Sequence, residues 1–356
     1  MNAIKYLLAG AALTLFSAPM MAQDVQSQID AITKVIVNSK SNPDAAKDQV
    51  KDFIKENKKN AVAIAGVGRA YLDIKDTLNA KKYAEMAIDR DKNNAAGYLL
   101  MGDIEVVNND GGAAATWYQQ ATLMDPKNPQ GYIKYANIYR KRSPELSVQM
   151  LEKLRTVQPD YPVDAEAGHF FYTANRFDKA IEYFSKVDLG KFNENYLTEY
   201  ATATYLSSDS KKSLEISQYG VQKNPRDAAM NRLCFYNYTD LKDYPNALKY
   251  ADALFNKSDS AKFSARDYQY YGYALMGDSA FDQAIAQFEK ALELNSSLND
   301  VKKQLSDAYI AKKDYVKGLA LYDEYLKAVE KPSVGDIDGL AKLYADQAAS
   351  IATLNE

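Results

Sequence analysis

The stretch RFDKAIEYF, from Arg176 to Phe184, returns further along the chain as AFDQAIAQF, from Ala280 to Phe288. Five of the nine letters match in register. Aligning the two stretches on their central alanines draws other segments into the same column. The column holds Ala46, Ala80, Ala114, Ala180, Ala247, Ala284 and Gly318. Successive members are 34 residues apart, or 66–67 where one unit contributes no member, except for a single step of 37. The stretch is therefore part of an internal repeat and not an isolated motif.

Two further columns recur in register with the first. Twelve residues before it stand mostly small residues, namely Gly68, Gly102, Ala136, Gly168, Ala201 and Gly272. Four residues after it stand the aromatic residues Tyr118, Phe184, Phe288 and Tyr322. Small residues are needed where two helices cross closely, and an aromatic ring fills the space against the following unit. Prolines recur near the end of the repeat, where a helix has to stop.

This set of columns resembles the tetratricopeptide repeat, whose unit of about 34 residues folds into two antiparallel helices, A and B. The resemblance covers nearly the whole chain after its N-terminus. It implies an all-α fold, an α-α superhelix of about nine helix pairs whose helices A line the concave face. The array is predicted over residues 23–332, with units near 27–60, 61–94, 95–128, 129–161, 162–194, 195–227, 228–261, 265–298 and 299–332.

The last segment, residues 333–356, is predicted to contain a capping helix. Its expected inner face consists of Leu340, Leu343, Tyr344, Gln347, Ala348 and Ile351. Asp338, Lys342 and Asp346 line the opposite face, and terminal repeats need a polar outer side. A tenth pair that has lost its second helix explains the same pattern, and the sequence alone does not separate these two interpretations.

The first residues have the composition of a secretory signal peptide. Lys5 precedes an apolar run from Tyr6 to Phe16, and small residues lead to a cleavage site near Ala22. The alternative is a membrane anchor, but the run is shorter than the ~20 residues that span a bilayer. We therefore expect residues 1–22 to be removed and the mature protein to be periplasmic or extracellular, without a membrane span.

Composition argues against most catalytic sites. The 356 residues include one histidine and one cysteine, and the local spacings of a zinc site are absent. The net charge is −3, and the sequence lacks the clustered lysines and arginines of a nucleic-acid-binding surface. It also lacks a Gly-rich phosphate loop and a nucleophile elbow. We predict no cofactor, no metal, no nucleic-acid partner and no enzymatic activity.

Two residue pairs remain as catalytic candidates, and both favour a structural interpretation. Asp178 and Glu182 share a helix face, but the repeat replaces Glu182 by Ala286. Asp178 instead suits the positive N-terminal end of a helix B. Cys234 and His169 form the one conceivable thiol–imidazole pair, and both fall at repeat-interior positions.

Binding residues are implied by the resemblance, because positions around the small residue of helix A face the groove in that family. Such positions hold Arg69, Asn137, Arg140, His169, Tyr172, Tyr205, Arg232, Tyr236, Gln269, Tyr273 and Lys303. The four tyrosines from Tyr172 to Tyr273 would form a line across successive units, with cations nearby. Such a row favours an extended peptide or a glycan chain. The alternative is that the assumed register is wrong by one residue and these side chains only pack between helices.

The predicted function is a non-enzymatic scaffold that binds a protein or an extended peptide in the groove, within a cell-envelope complex. The alternative, from a different functional class, is a protein that binds glycans for nutrient uptake. One branch of the family grips a C-terminal carboxylate with a Lys and Asn clamp. The matching positions here hold Ala65, Arg69, Leu99 and Asp103, so that clamp is absent.

Three short motifs resemble the acceptor for O-glycosylation in some Gram-negative envelopes. They are DTL at 76–78 and DSA at 259–261 and at 278–280. All three fall in predicted turns, which makes Thr77, Ser260 and Ser279 candidate modification sites. Chance matches to a motif this short are also expected.

Overall fold

A computed structural model of the protein describes residues 20–42 and 44–354. All regular secondary structure in this part is helical. The predicted signal peptide lies outside the described residues up to position 19, and the first helix begins at Met20. No helix in the described part is both long enough and apolar enough to cross a membrane.

The helices belong to two compact units, divided in sequence between Ala174 and Asn175. The first unit contains α1 (Met20–Asn38), α2 (Asp44–Glu56), α3 (Ala61–Asp73), α4 (Thr77–Arg90), α5 (Ala95–Val107), α6 (Gly111–Met124), α7 (Pro129–Tyr139), α8 (Pro144–Val157) and α9 (Val163–Thr173). The second contains α10 (Phe177–Phe184), α11 (Glu194–Leu206), α12 (Ser210–Lys223), α13 (Ala228–Asp240), α14 (Tyr244–Asp252), α15 (Ala265–Gly277), α16 (Phe281–Leu294), α17 (Asn299–Ala311), α18 (Tyr315–Ala328) and α19 (Val334–Leu354). In chain order these are nineteen α-helices, which confirms the predicted all-α fold in the described residues.

The small columns lie at contacts between paired helices, as predicted. A Cβ atom added to Gly102 on α5 would lie 2.3 Å from the ring of Tyr118 on α6. One added to Gly272 on α15 would lie 2.3 Å from the ring of Phe288 on α16. These aromatic rings of helix B therefore fill the space left by glycine in their own pair. The prediction placed the aromatic column against the following unit, where the ring of Phe184 lies 5.5 Å from that of Tyr200 on α11.

Two serines complete the small column where the alignment had no member. Ser147 on α8 and Ser213 on α12 are fully buried. Their hydroxyls donate to the backbone oxygens of Ala136 at 2.7 Å and Ala201 at 2.9 Å, both on the facing helix A. A buried hydroxyl is tolerated when it is hydrogen-bonded, so serine can replace alanine here without breaking the repeat.

Most turns from helix A to helix B share one backbone conformation. A residue with positive φ recurs at Lys75, Asn109, Asn175, Ser208, Lys242, Ser279 and Lys313. After Lys242, the Asp243 N–H donates back to the Tyr238 oxygen at 2.9 Å, and the Asp243 carboxylate caps the next helix. The left-handed conformation is unfavourable for a residue with a Cβ atom, so the flanking hydrogen bonds hold these turns in place.

Helix α19 packs on α18, and only part of its predicted inner face is covered. Asp336 is buried, and Leu340, Leu343 and Gln347 of the predicted inner face are partly buried. Tyr344 and Ile351, which the sequence placed on the inner face, are 50% and 53% exposed. That part of the prediction is wrong, because hydrogen bonds from α17 and α18 to the Asp336 carboxylate set the rotation of the helix.

Candidate functional site

Arg69 on α3, predicted to face a ligand, is bonded to a buried carboxylate. Asp103 on α5 is 2% exposed and accepts hydrogen bonds from Arg69, from Lys134 Nζ on α7 at 2.8 Å and from the Tyr118 hydroxyl at 2.6 Å. Burial alone would raise the pKa of Asp103, but the two cations and these hydrogen bonds hold it below its usual range. The cluster joins three successive helix pairs, so Arg69 contributes to the structure of the first unit.

The other predicted residues of the first unit lie on α7, at its C-terminal cap and on α9. At the end of α7, the exposed Asn137 donates to a backbone oxygen one turn earlier at 3.0 Å and accepts from Arg140 at 3.4 Å. On α9, His169 and Tyr172 are half-buried, and the His169 ring lies 6.0 Å from the ring of Phe170. These polar side chains belong to two successive helices A.

Arg232 on α13 has the same kind of partner in the second unit. Asp267 on α15 is 1% exposed and accepts from Arg232 Nε at 2.6 Å and from the Tyr236 hydroxyl at 2.9 Å. Its other oxygen accepts from the backbone N–H and the hydroxyl of Ser264, at 2.7 and 2.9 Å, just before α15. Arg232 also donates to the backbone oxygen of Lys262 at 2.7 Å. The Arg232 side chain is thus held by the fold.

Lys303 on α17 repeats this arrangement. Its Nζ donates to Asp336 on α19 at 2.7 Å, and Asp336 also accepts from the Tyr325 hydroxyl at 3.1 Å and from Ser333. The hydrogen bonds from Lys303 and Ser333 hold the pKa of Asp336 well below its usual range. Three of the predicted cations therefore bond to a buried aspartate on the next helix A.

Four predicted residues of the second unit lie together on α11, α13 and α15. The ring of Tyr236 lies 6.0 Å from that of Tyr205 and stacks on that of Tyr270 at 4.1 Å. The ring of Tyr273 lies 5.9 Å from that of Tyr270, and the Tyr273 hydroxyl accepts from Gln269 at 2.6 Å. Burial above all raises the pKa of Tyr205 and of Tyr236, so both phenols are neutral at ordinary pH.

Arg266, at the start of α15, covers these rings. Its guanidinium carbon lies 5.6, 5.4 and 5.3 Å from the ring centroids of Tyr205, Tyr236 and Tyr270. Its Nη2 donates to the hydroxyls of Tyr205 at 2.9 Å and Tyr270 at 3.4 Å, and these two hydroxyls lie 2.9 Å apart. We call the following set the tyrosine–arginine surface: Tyr205, Tyr236, Arg266, Gln269, Tyr270 and Tyr273.

An open cleft of about 430 Å³ adjoins the tyrosine–arginine surface. It is lined by Tyr205, Leu206, Ser208, Ser210, Asp240, Arg266 and Tyr270. Asp240 and Arg266 are both exposed. Partial desolvation raises the pKa of Asp240, while Tyr270, Arg266 and Tyr205 act in the opposite direction. The cleft thus combines a carboxylate, a guanidinium and neutral hydroxyls.

Sequence reasoning missed Arg266, Tyr270 and Asp240. Arg266 and Tyr270 share a helix face with Gln269 and Tyr273 at i, i+3, i+4, i+7 spacing, a signal that could have found them. The prediction used positions three before, one after and four after the small residue, whereas Arg266 and Tyr270 lie six and two residues before Gly272. Asp240 ends α13, beyond every column used for the prediction.

The catalytic candidates have structural contacts. Cys234 on α13 is buried, and its thiol donates to the Ser217 hydroxyl at 3.3 Å. Burial raises the pKa of Cys234 to about 12, so the thiol is protonated and a poor nucleophile. Glu182 on α10 pairs with Lys179 at 2.8 Å on an exposed side of the helix. Residues 20–42 and 44–354 contain no group of three or more His, Cys, Asp or Glu that could hold a metal ion.

The candidate modification sites lie at turns or a helix start. Thr77 begins α4, while Ser260 and Ser279 are exposed and have φ values of 51° and 60°. Their O-glycosylation stays a prediction. The intact mass of the native protein tests it, and a mass equal to that of the bare chain would contradict it.

Comparison with known proteins identifies the repeat in part of the chain. Residues 272–332, from within α15 to just beyond α18, match the family model described as tetratricopeptide repeat. No curated protein matches this sequence.

Several solved structures are similar in fold. A tetratricopeptide repeat protein from Parabacteroides merdae ATCC 43184 is 17% identical, with 70% of this chain and 98% of that chain covered and a TM-score of 0.42. The MamA AMB-1 structure is 16% identical, with 47% and 96% covered and a TM-score of 0.42. The APC/C hetero-tetramer Cut9–Hcn1 is 13% identical, with 90% and 55% covered and a TM-score of 0.39. At such identities the likeness concerns the fold alone. The protein therefore has an all-α fold of helix pairs, and the tetratricopeptide repeat is recognisable by sequence in residues 272–332.

Proposed function

We propose that this protein is an exported, non-enzymatic scaffold that binds an extended protein segment on the tyrosine–arginine surface. The observation that carries the proposal is the composition of that surface. Tyr205 and Tyr236, chosen from column positions, lie there against Tyr270 and Arg266. Tyr273 lies against Tyr270, and Gln269 donates to the Tyr273 hydroxyl. The repeat match at residues 272–332, which begins on α15, supports a scaffold whose partners are proteins.

The chemistry of the surface suits a protein ligand. Tyrosine and arginine are enriched among the residues that dominate protein interfaces, because they offer large amphipathic contacts with few rotatable bonds. The Tyr205–Tyr270 and Gln269–Tyr273 hydrogen bonds, at 2.9 and 2.6 Å, hold these side chains before any ligand arrives. Binding therefore orders few side chains and loses little entropy.

The placement of the rings on α11, α13 and α15 suits an extended chain. These are successive helices A, and neighbouring packed helices lie about 8–10 Å apart. A path across three such helices is therefore roughly 20 Å long, which an extended segment of about six residues spans at ~3.3 Å per residue. We propose a ligand segment of that length.

Export is the second part of the proposal, and the N-terminal sequence supports it. The short apolar run and the small residues before Ala22 have the pattern of a cleaved secretory signal. N-terminal sequencing of the protein from the native envelope should begin near Gln23. A mature protein that still begins at Met1 would contradict export by this route.

Glycan binding is the alternative, and the cleft favours it. Ser208, Ser210 and Asp240 offer hydroxyl and carboxylate partners beside the rings of Tyr205 and Tyr270. Sugar hydroxyls would bond to such groups while a sugar ring stacks on a phenol. Gel electrophoresis in the presence of cell-wall or dietary polysaccharides tests this: retardation of the wild type, but not of Tyr270→Ala, would favour it.

Selection of random linear peptides on the immobilised protein tests the main proposal. The double variant Tyr205→Ala, Tyr270→Ala removes two rings of the surface, whereas Tyr219→Ala on α12 removes a half-buried tyrosine elsewhere. We expect peptides that bind the wild type and Tyr219→Ala but not the double variant, with helicity unchanged by circular dichroism. Equal enrichment on all three proteins would show that this surface is not the binding site.

A further inference from the structure

The charges around the tyrosine–arginine surface are largely balanced within the protein. Arg232 pairs with Asp267, which also accepts a hydrogen bond from Tyr236. Arg266 and Asp240 line the same cleft. Asp300 is a further charged side chain close to Tyr273. A ligand therefore meets no block of uncompensated like charge, and its own net charge gains little from this surface.

Arg266 and Asp240 nevertheless keep opposite hydrogen-bonding capacities. Only Nη2 of Arg266 donates to Tyr205 and Tyr270, and no bond of its Nε or Nη1 occurs within residues 20–42 and 44–354. The exposed Asp240 carboxylate has acceptor sites beyond those that the two nearby phenols can use. The cleft thus offers donors from one side chain and acceptors from another, with neutral hydroxyls alongside.

We infer that this cleft is a subsite for an uncharged amide of the bound segment. The amide is a main-chain peptide unit or an Asn or Gln side chain. Its N–H donates to the Asp240 carboxylate, and its oxygen accepts from the Arg266 guanidinium. An amide carries both functions in one planar group, and it leaves neither side chain with an unmatched charge. The inference rests on the proposed function, because the ligand is a protein segment.

Charged ligand groups fit this cleft less well. A ligand carboxylate would be attracted by Arg266 but repelled by Asp240. A ligand ammonium group would be attracted by Asp240 but repelled by Arg266. Recognition by one charge is also screened by salt, whose Debye length is about 8 Å at physiological ionic strength. Amide recognition therefore predicts an affinity that depends little on salt concentration.

The test uses the full chain and peptides selected from a random linear library. The variants Asp240→Asn and Arg266→Gln change one partner each, and the exposed Asp278→Asn and Arg90→Gln are matched controls. We expect selected peptides to need no charged residue and to bind within about twofold at low and high salt. Each cleft variant should weaken binding roughly tenfold, since a hydrogen bond to a charged group is lost or weakened, while the controls bind normally.

The outcomes separate this inference from the proposal on which it rests. Peptides that require Asp, Glu, Lys or Arg, and that dissociate as salt rises, would overturn the amide subsite but leave peptide binding standing. Normal binding by Asp240→Asn would also overturn it. If the wild type selects no peptide above the Tyr205→Ala, Tyr270→Ala background, the proposed function fails and the subsite fails with it.

Discussion

Replacing Asp267 by alanine should lower the free energy of unfolding of the second unit by about 3 kcal/mol. The Asp267 carboxylate is 1% exposed and accepts hydrogen bonds from Arg232, Tyr236 and Ser264. Its removal leaves the Arg232 guanidinium without its counter-charge. It also leaves the Tyr236 hydroxyl without its acceptor and α15 without part of its N-terminal cap.

The magnitude follows from these three losses. Removing one partner of a buried ion pair costs about 3–5 kcal/mol. The Arg232 side chain is 26% exposed and keeps its bond to the Lys262 backbone, so solvation reduces that loss to about 2 kcal/mol. The weakened cap and the unpaired Tyr236 hydroxyl add about 1 kcal/mol.

Urea unfolding followed by circular dichroism measures the effect, with Asp259→Ala as the matched control. Asp259 pairs with Arg226 where the two side chains are 63% and 65% exposed, so its loss should cost far less than that of Asp267. Helix arrays can unfold in steps, so the comparison uses the transition that both second-unit variants shift. If Asp267→Ala costs no more than the control, the buried carboxylate does not hold Arg232 in place and the reasoning is refuted.

Three further predictions concern stability. Lys242→Gly, in a turn where φ is 60°, should raise the free energy of unfolding by about 1 kcal/mol, because glycine has no Cβ atom to strain; a lower melting temperature would contradict this. Gly102→Ala places a Cβ atom 2.3 Å from the Tyr118 ring and should lower the free energy of unfolding by about 1–3 kcal/mol, despite a helix-propensity gain of ~1 kcal/mol. An unchanged urea midpoint would count against the close contact. The pKa of Asp103 is depressed in the folded state, so its stabilising contribution is present above the usual carboxyl pKa of about 4 and is lost as pH falls through the lower folded value. The first unit should therefore weaken in acid, and Asp103→Asn should flatten that slope while lowering stability at neutral pH; an unaltered slope would exclude Asp103 as its cause.

Much of the helix-pair fold could be predicted because each repeat column records a contact. Gly102 and Tyr118 recur in register since the ring of one helix occupies the space that the other helix leaves. Ser147 and Ser213 escaped the same column because a serine is polar in sequence, yet each hydroxyl bonds to a backbone oxygen of the facing helix. The close contact between helices A and B is therefore kept in these pairs, although a serine takes the place of alanine.

The candidate site was less predictable, because a column position does not name a side chain's partner. Arg69, Arg232 and Lys303 stand where a ligand donor was expected, but each bonds to an aspartate on the next helix A. Those pairs depend on three-dimensional packing between units of the repeat. Arg266 was missed for a simpler reason: it lies six residues before Gly272, nearly two turns from the positions around the small residue that the prediction used.

Site-specific photo-cross-linking in the native envelope tests the central claim most directly. A photoreactive benzoylphenylalanine replaces Tyr270 on the tyrosine–arginine surface in one protein and the half-buried Tyr219 on α12 in another. The account predicts discrete protein adducts, identified by mass spectrometry, from position 270 and not from position 219. Adducts from position 219 alone, or none from position 270 in cells whose envelope retains the wild-type partners, would contradict it.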